Sequence, residues 1–475
     1  MKKVFSIIQT SLLAGGLLFS SPLWAANVIG YFTSWGMYGE DPYTPDDIPY
    51  DKLTHIQYAF FLPDTLGTIV SSDPWADELN LEGANSLVAL AHEHGVKVLP
   101  SVGGWTGSSE FPALAGSAQR RSRFCSSARA LIQQYDFDGI DIDWEYPGYV
   151  PHNGTPDDAQ NFVLLLSELR DTLDAMGDGH KLITLAIAGS SYHGDRYLLE
   201  QCIDDVDFVS IMTYDYTGAG FSQTAWHNSP LYDYHSDEHW SVDRAMSYYA
   251  ERGIPASKLN IGMAFYGRSF AGCEGVGSPH AGAGTGQPGE PGMIHYATVA
   301  DLIAGGTYTP HWDSLAGVPY CTSADGEYCS YDDTTSIRMK AQYCVQKGFG
   351  GAIIWELKAG RAPDGSQPLL DAAAGVLMQP SAVARRDSRK PGVARVSRMG
   401  ETITFTLQSP SRVSTALYDM QGRAVLTLGT NHYDRGEHAL ELGATMENLS
   451  TGNYLVELRS QRWTKRLMMP KTIRQ

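Results

Sequence analysis

Eight short apolar runs recur along the first three-quarters of the chain, mostly separated by stretches with helical spacing. They lie at 28–32, 55–61, 96–102, 137–146, 182–188, 208–215, 259–267 and 351–356. Strands that alternate with helices predict a parallel sheet with helical crossovers. Eight of them predict an α/β fold of the closed (β/α)8, or TIM, barrel type. Polar and aromatic residues gather at the C-terminal ends of these runs, the face on which such barrels carry their active sites. Helical segments are predicted around 82–94 and 241–252, and one is predicted to start at 155, with Thr155 as N-cap and Pro156 in the first turn. That last helix buries Phe162, Leu165, Leu166, Leu169 and Leu173 at helical spacing.

The fourth run reads Phe137-Asp-Gly-Ile-Asp-Ile-Asp-Trp-Glu-Tyr146. Strand residues alternate between faces, so Asp141, Asp143 and Glu145 share one face and Ile140, Ile142 and Trp144 the other. Neighbouring acids on that face sit roughly 6.6 Å apart at Cα. Carboxyls this close repel one another and resist burial, so their pKa values shift. A purely structural strand has no use for that. A site that must donate a proton near neutral pH does.

This stretch resembles the catalytic signature of the family 18 glycoside hydrolases, the chitinases. Their Asp-x-x-Asp-x-Asp-x-Glu pattern is met in full by Asp138, Asp141, Asp143 and Glu145. Five more fragments resemble the family in chain order: Ser101-Val-Gly103-Gly104-Trp105, Met212-Thr-Tyr214-Asp215, Trp226 with Pro230-Leu231 after it, Phe265-Tyr266-Gly267-Arg268, and Trp355-Glu356. Together they extend the resemblance over roughly residues 27–375.

The resemblance implies a chitinase that hydrolyses β-1,4-linked N-acetylglucosamine polymers with retention. In this family the substrate's own N-acetyl carbonyl attacks the anomeric carbon and gives an oxazolinium intermediate. Carried over, Glu145 is the general acid/base, and Asp143 holds the acetamido N–H and orients the carbonyl. Asp141 hydrogen-bonds Asp143, and Tyr214 contacts the acetamido group. Asp215 meets a sugar hydroxyl or Glu145, and Trp355 forms the floor under the sugar being cleaved. Trp105 and Trp226 stack on sugars on either side of the bond, since sugar C–H faces suit aromatic rings. Tyr146, Met212, Tyr266 and Arg268 complete the cleft. Gly104, with Ser101 and Gly103, allows close backbone approach, and Asp138 is structural. No metal or cofactor is implied. Two rival readings stay open: a catalytically inactive chitin-binding lectin, and an endo-β-N-acetylglucosaminidase acting on glycoproteins. One departure is visible, because Leu357-Lys358-Ala359-Gly360 stands where family members often carry a small residue, Gly and Asp.

Between the seventh and eighth runs, residues 271–332 are rich in Gly, Pro, Tyr and Cys. They predict an α+β insertion subdomain, since a structureless loop of that length is uncommon. The barrel with its insertion is expected over 26–377, a Pro-, Ser- and Arg-rich linker over 378–394, and a β-sandwich of short alternating runs over 395–475. Residues 1–25 read as a signal peptide, with Lys2 and Lys3, an apolar run and a small-residue cleavage site. No other run is long enough to span a membrane, so an exported protein is expected.

The chain's net charge of −18 is uneven: from Ser381 onward 15 basic and 8 acidic residues give +7, leaving −25 on the rest. An acidic body argues against nucleic acid as a partner and suits an amino-sugar polymer. Six cysteines permit disulfides in an exported protein, and Cys321 and Cys329 are near enough in sequence to pair. The stretches 417–425 and 449–456 resemble the C-terminal sorting domains of the type nine secretion route of some Gram-negative bacteria. That implies a contact with secretion machinery and a location outside the cell or on its surface. A carbohydrate-binding module is the competing reading of the tail, with Trp463 as its one Trp platform.

Overall fold

The β-branched and aliphatic runs become strands because both of their faces are covered, by neighbouring side chains inside and by helices outside. In order these are β1 Asn27–Thr33, β2 His55–Pro63, β3 Lys97–Gly103, β4 Gly139–Asp143, β5 Leu182–Ala188, β6 Phe208–Met212, β7 Leu259–Ala264 and β8 Gly351–Trp355. Each pairs in parallel with the next, and β8 pairs with β1, so the sheet closes into the predicted (β/α)8 barrel. The computed structural model describes residues 26–233, 239–379, 393–399, 402–407, 411–418, 424–442, 446, 449–450, 452–460 and 464–471. The expected signal peptide, residues 380–392 of the expected linker, and Trp463 lie outside the described residues. The described residues form two compact units, one up to residue 379 and one from 393 onward.

The helices pack through the faces their spacing marks. Asp158–Asp174 buries Phe162, Leu165, Leu166, Leu169 and Leu173 against the barrel core. It starts three residues later than Thr155, and the Asp158 carboxylate turns back to accept from the Thr155 N–H and hydroxyl. The expected helix at 82–94 is helical only over Leu87–Glu93, capped by Ser86, and a separate helix, Pro74–Leu81 capped by Asp73, precedes it. Gly83, at φ +86°, lies between them. Val242–Glu251 has Ser241 at its N-cap, and Thr334–Lys347 has Asp333 there, each accepting from the first-turn backbone.

The insertion starts earlier than expected. The chain leaves the barrel at Phe265, and Tyr266–Ala271 is the first strand of a separate sheet rather than the end of β7. That sheet also contains Gly282–Ala283, Met293–His295, Tyr308–Asp313, Val318–Ser323 and Tyr328–Ser330, with the helix Tyr296–Ala304 beside it. Cys321 and Cys329 face each other on neighbouring antiparallel strands, and all six cysteines are buried free thiols.

The C-terminal unit has two antiparallel sheets. One contains Val393–Met399, Thr402–Leu407 and Gly436–Glu441; the other contains Ala424–Tyr433, Ser411–Tyr418, Gly452–Arg459 and Thr464–Lys471. Ile403, Phe405 and Leu407 from the first share a core with Val413, Leu417, Val456 and Leu458 from the second, as in a β-sandwich. Among the described residues no helix is long and apolar enough to cross a membrane.

Candidate active site

The site is built on the C-terminal end of β4, where alternation sorts the side chains. Ile140, Ile142 and Trp144 join the core, with Trp144 stacked on Phe111 at 5.2 Å. Asp141 and Asp143 are buried on the other face. Asp141 is filled by donors from three strands: Tyr31 Oη of β1 at 2.9 Å, Ser101 Oγ of β3 at 2.7 Å and Thr184 Oγ1 of β5 at 2.6 Å. The expected hydrogen bond from Asp141 to Asp143 is thus replaced by these donors, and Asp143 Oδ1 is buried with no partner. Burial is the main force raising the Asp141 pKa, and its three donors pull it back.

Asp143 is raised well above the usual carboxylate range, first by burial, then by repulsion from Glu145 and Asp141. Glu145 is pushed up to about 7, first by burial, with the Tyr146 hydroxyl lowering it and Asp215 raising it. Glu145 lies two residues beyond the end of β4, not on the strand itself. Its main-chain N–H donates to Ser108 Oγ at 2.9 Å, and that hydroxyl donates to Gly104 O at 2.9 Å. Tightness under the site explains the glycines. A Cβ on Gly103, at φ +119°, would lie 2.2 Å from the Asp143 carbonyl, and one on Gly104 would lie 2.7 Å from the Phe60 ring.

The end of β6 and the first insertion strand form a second wall. Tyr214 is buried, and its pKa is raised well above normal, first by burial and then by the charges of Asp143, Asp215, Glu145 and Asp141. Asp215 takes a left-handed φ of +58° and accepts from Tyr266 Oη at 2.8 Å and from the Arg268 guanidinium at 2.6 Å. Asn228 Oδ1 holds the Asp215 N–H at 3.1 Å. Met212 and Trp355 pack on the cluster of Tyr214, Ala264, Tyr266 and Met293.

The aromatic residues divide. Trp355 is half-buried at the end of β8, stacked on Phe60 at 5.7 Å and edge-on to Tyr31 at 5.0 Å. Trp105 is 51% exposed and has Tyr146 at 6.3 Å. Trp226 differs from expectation. It is 9% exposed, and its indole lies face to face with His239 at 3.9 Å, so the ring is covered rather than open to a sugar. Phe221, on the same loop, is 66% exposed. A Phe among Gly and Ser carries no signal in the sequence; its exposure exists only in the fold. Ser108, Thr184, Tyr31 and Asn228 carry no signal in the sequence either, because each meets its partner only when separate strands and loops come together.

Asp138 lies at the opposite end of β4, where Oδ2 accepts from the Val98 N–H at 2.7 Å and pairs with His92 Nε2 at 3.0 Å. At the departure noted after Trp355, the Glu356 carboxylate accepts from the Lys358 and Ala359 N–H groups at 3.0 and 2.9 Å. Among the described residues no group of three or more His, Cys, Asp or Glu side chains is arranged to hold a metal ion.

Comparison with known proteins finds relatives of the barrel unit. The profile described as Glycosyl hydrolases family 18 matches residues 27–360. Chitinase A1 of Niallia circulans is 34% identical over 398 residues, covering 70% of this chain and 56% of that protein. Endochitinase 1 of Metarhizium robertsii is 34% identical over 360 residues, covering 70% of this chain and 82% of that one. The crystal structure of the Ostrinia furnacalis Group IV chitinase in complex with allosamidin superposes with a TM-score of 0.69 at 29% identity, covering 75% of this chain and 100% of that one.

Proposed function

The chain belongs to glycosyl hydrolase family 18, and from that premise we propose that it is a chitinase cleaving β-1,4-linked N-acetylglucosamine polymers with retention. The observation that carries the reading is the pair at the end of β4. One acid is pushed up to about 7, and beside it is a buried carboxyl whose Oδ1 has no partner. The first suits a proton donor at neutral pH. The second is a hydrogen-bond position waiting for an N–H, which the substrate's acetamido group supplies.

In this mechanism Glu145 protonates the glycosidic oxygen as the bond to the anomeric carbon breaks. The acetamido carbonyl oxygen attacks that carbon from the opposite face, closing an oxazolinium ring. Asp143 takes the acetamido N–H and aims the carbonyl, with Asp141 holding the strand beneath it. Tyr214 faces the same group. Water, deprotonated by Glu145, then opens the ring and leaves the new hydroxyl on the original face. Trp355, half-buried among Tyr31, Phe60 and Trp35, supplies an aromatic floor for the sugar, and exposed Trp105 an outer platform.

Glu145→Gln keeps the shape and removes the proton. It is expected to abolish hydrolysis of chitooligosaccharides while leaving their binding within a few-fold of wild type. Asp143→Asn is expected to lose at least about a hundredfold in kcat, a share typical of one well-placed electrostatic group. Steady-state rates and calorimetric binding check both, and wild-type turnover in either variant would count against the reading. Export, with removal of residues 1–25, and a sorting role for the C-terminal sandwich belong to the same proposal.

A further inference from the structure

Two loops meet at the peptide that carries Glu145, and one side chain in them is used by no step above. The loop after β4 turns back on itself: the Tyr149 N–H donates to Tyr146 O and the His152 N–H to Tyr149 O, each at 2.9 Å. Asn153 then takes a left-handed φ of +60°. This fold-back brings His152 Nδ1 to 2.7 Å from the main-chain oxygen of Glu145. A carbonyl oxygen only accepts, so Nδ1 carries the proton and donates. The residue is held on its N-terminal side as well, where the Glu145 N–H, in the preceding peptide unit, donates to the buried Ser108 Oγ. Asn153 Nδ2 donates to Ser109 O at 3.1 Å and ties the two loops together. The outer face of the His152 ring meets the indole of Trp105 at 4.7 Å.

We propose that His152 is a positioning residue for the reaction. Its Nδ1–H fixes the Glu145 carbonyl and, with Ser108 on the N–H, sets the direction in which the Glu145 carboxyl points. This rests on the reading of Glu145 as the acid. The grip is worth having there because Glu145 stands beyond the last paired residue of β4, so the sheet does not hold it. A small misplacement of a proton donor costs rate and leaves substrate affinity largely alone. The contact with Trp105 suggests a competing role, support of a sugar platform, which would act on affinity instead.

The two roles separate in one experiment on the full chain with a chitooligosaccharide substrate. His152→Ala removes the donor, and His152→Asn puts an amide N–H close to where the imidazole carries Nδ1. Loss of one such hydrogen bond predicts a fall in kcat of about tenfold for His152→Ala, with KM within about twofold. His152→Asn is expected to recover most of that loss even though it lacks the ring that meets Trp105. Thermal melting of both variants should match wild type, because His152 lies in a half-buried loop. Wild-type kcat in His152→Ala, a change confined to KM, or a failure of Asn to rescue would each overturn the proposal. Glu145→Gln, run in parallel, keeps the two claims apart. If it is inactive while His152→Ala is unimpaired, only the positioning claim falls; if it turns over like wild type, both fall.

Discussion

Glu145 and Asp143 are separated by one residue and carry the same chemical group, yet they meet different surroundings. Asp143 is buried between two other acids, and its Oδ1 has no partner. Glu145 has a phenol and a main-chain clamp beside it. Its pKa of about 7 fixes a sign. The acid works when protonated, so kcat/KM holds below that pH and falls above it as the proton is lost. A pH profile of kcat/KM on a soluble chitooligosaccharide should therefore bend down near pH 7. A profile flat to about pH 9 would remove Glu145 from the role. The alternation of acids and aliphatics made this pair legible from sequence, because strand geometry alone sorts the two faces. The Asp141 partners were not legible: Tyr31, Ser101 and Thr184 come from three different strands and meet only when the barrel closes.

At the scale of elements, the barrel strands were readable because each is a run of buried apolar residues with turn signals at its ends. The exit at Phe265 was not, because the apolar pattern continues through Tyr266 and Phe270 into a different sheet. Trp226 shows a related limit, since a Trp in a loop reads the same whether its ring is open or covered by His239. The helix Thr334–Lys347, which leads into β8, carries a buried ion pair at its base. Lys340 Nζ is 2.7 Å from Asp332 Oδ2 and 2.7 Å from Ser229 Oγ, and Ser229 donates to Thr213 O at 2.6 Å, just before Tyr214. Lys340→Met would leave Asp332 buried without its cation, with the Ser336 hydroxyl still donating to it, and such a loss typically costs about 3–5 kcal/mol. Denaturant unfolding should show a loss of that size. A variant as stable as wild type would mean that Asp332 is neutral in the fold.

For the whole molecule, the two units have separate cores. The barrel core draws on residues up to Leu377, and the sandwich core runs from Ile403 to Leu458. Every residue given a role in the reaction belongs to the first. A chain ending at residue 379 is therefore expected to fold and to cleave soluble chitooligosaccharides at the full-length rate. A tenfold or greater drop would show that the sandwich contributes to the reaction. The charge contrast between the two parts was legible from counting alone, and it bears on partners and solubility rather than on fold.

The central claim is substrate-assisted retention at Glu145 and Asp143, and the anomeric form of the first products tests it most directly. Chitooligosaccharides would be mixed with the purified chain and the new reducing ends observed by NMR before mutarotation. The account predicts that the β-anomer appears first and that none forms with Glu145→Gln. Initial α-anomer, or β-anomer formed at the wild-type rate by Glu145→Gln, would contradict it.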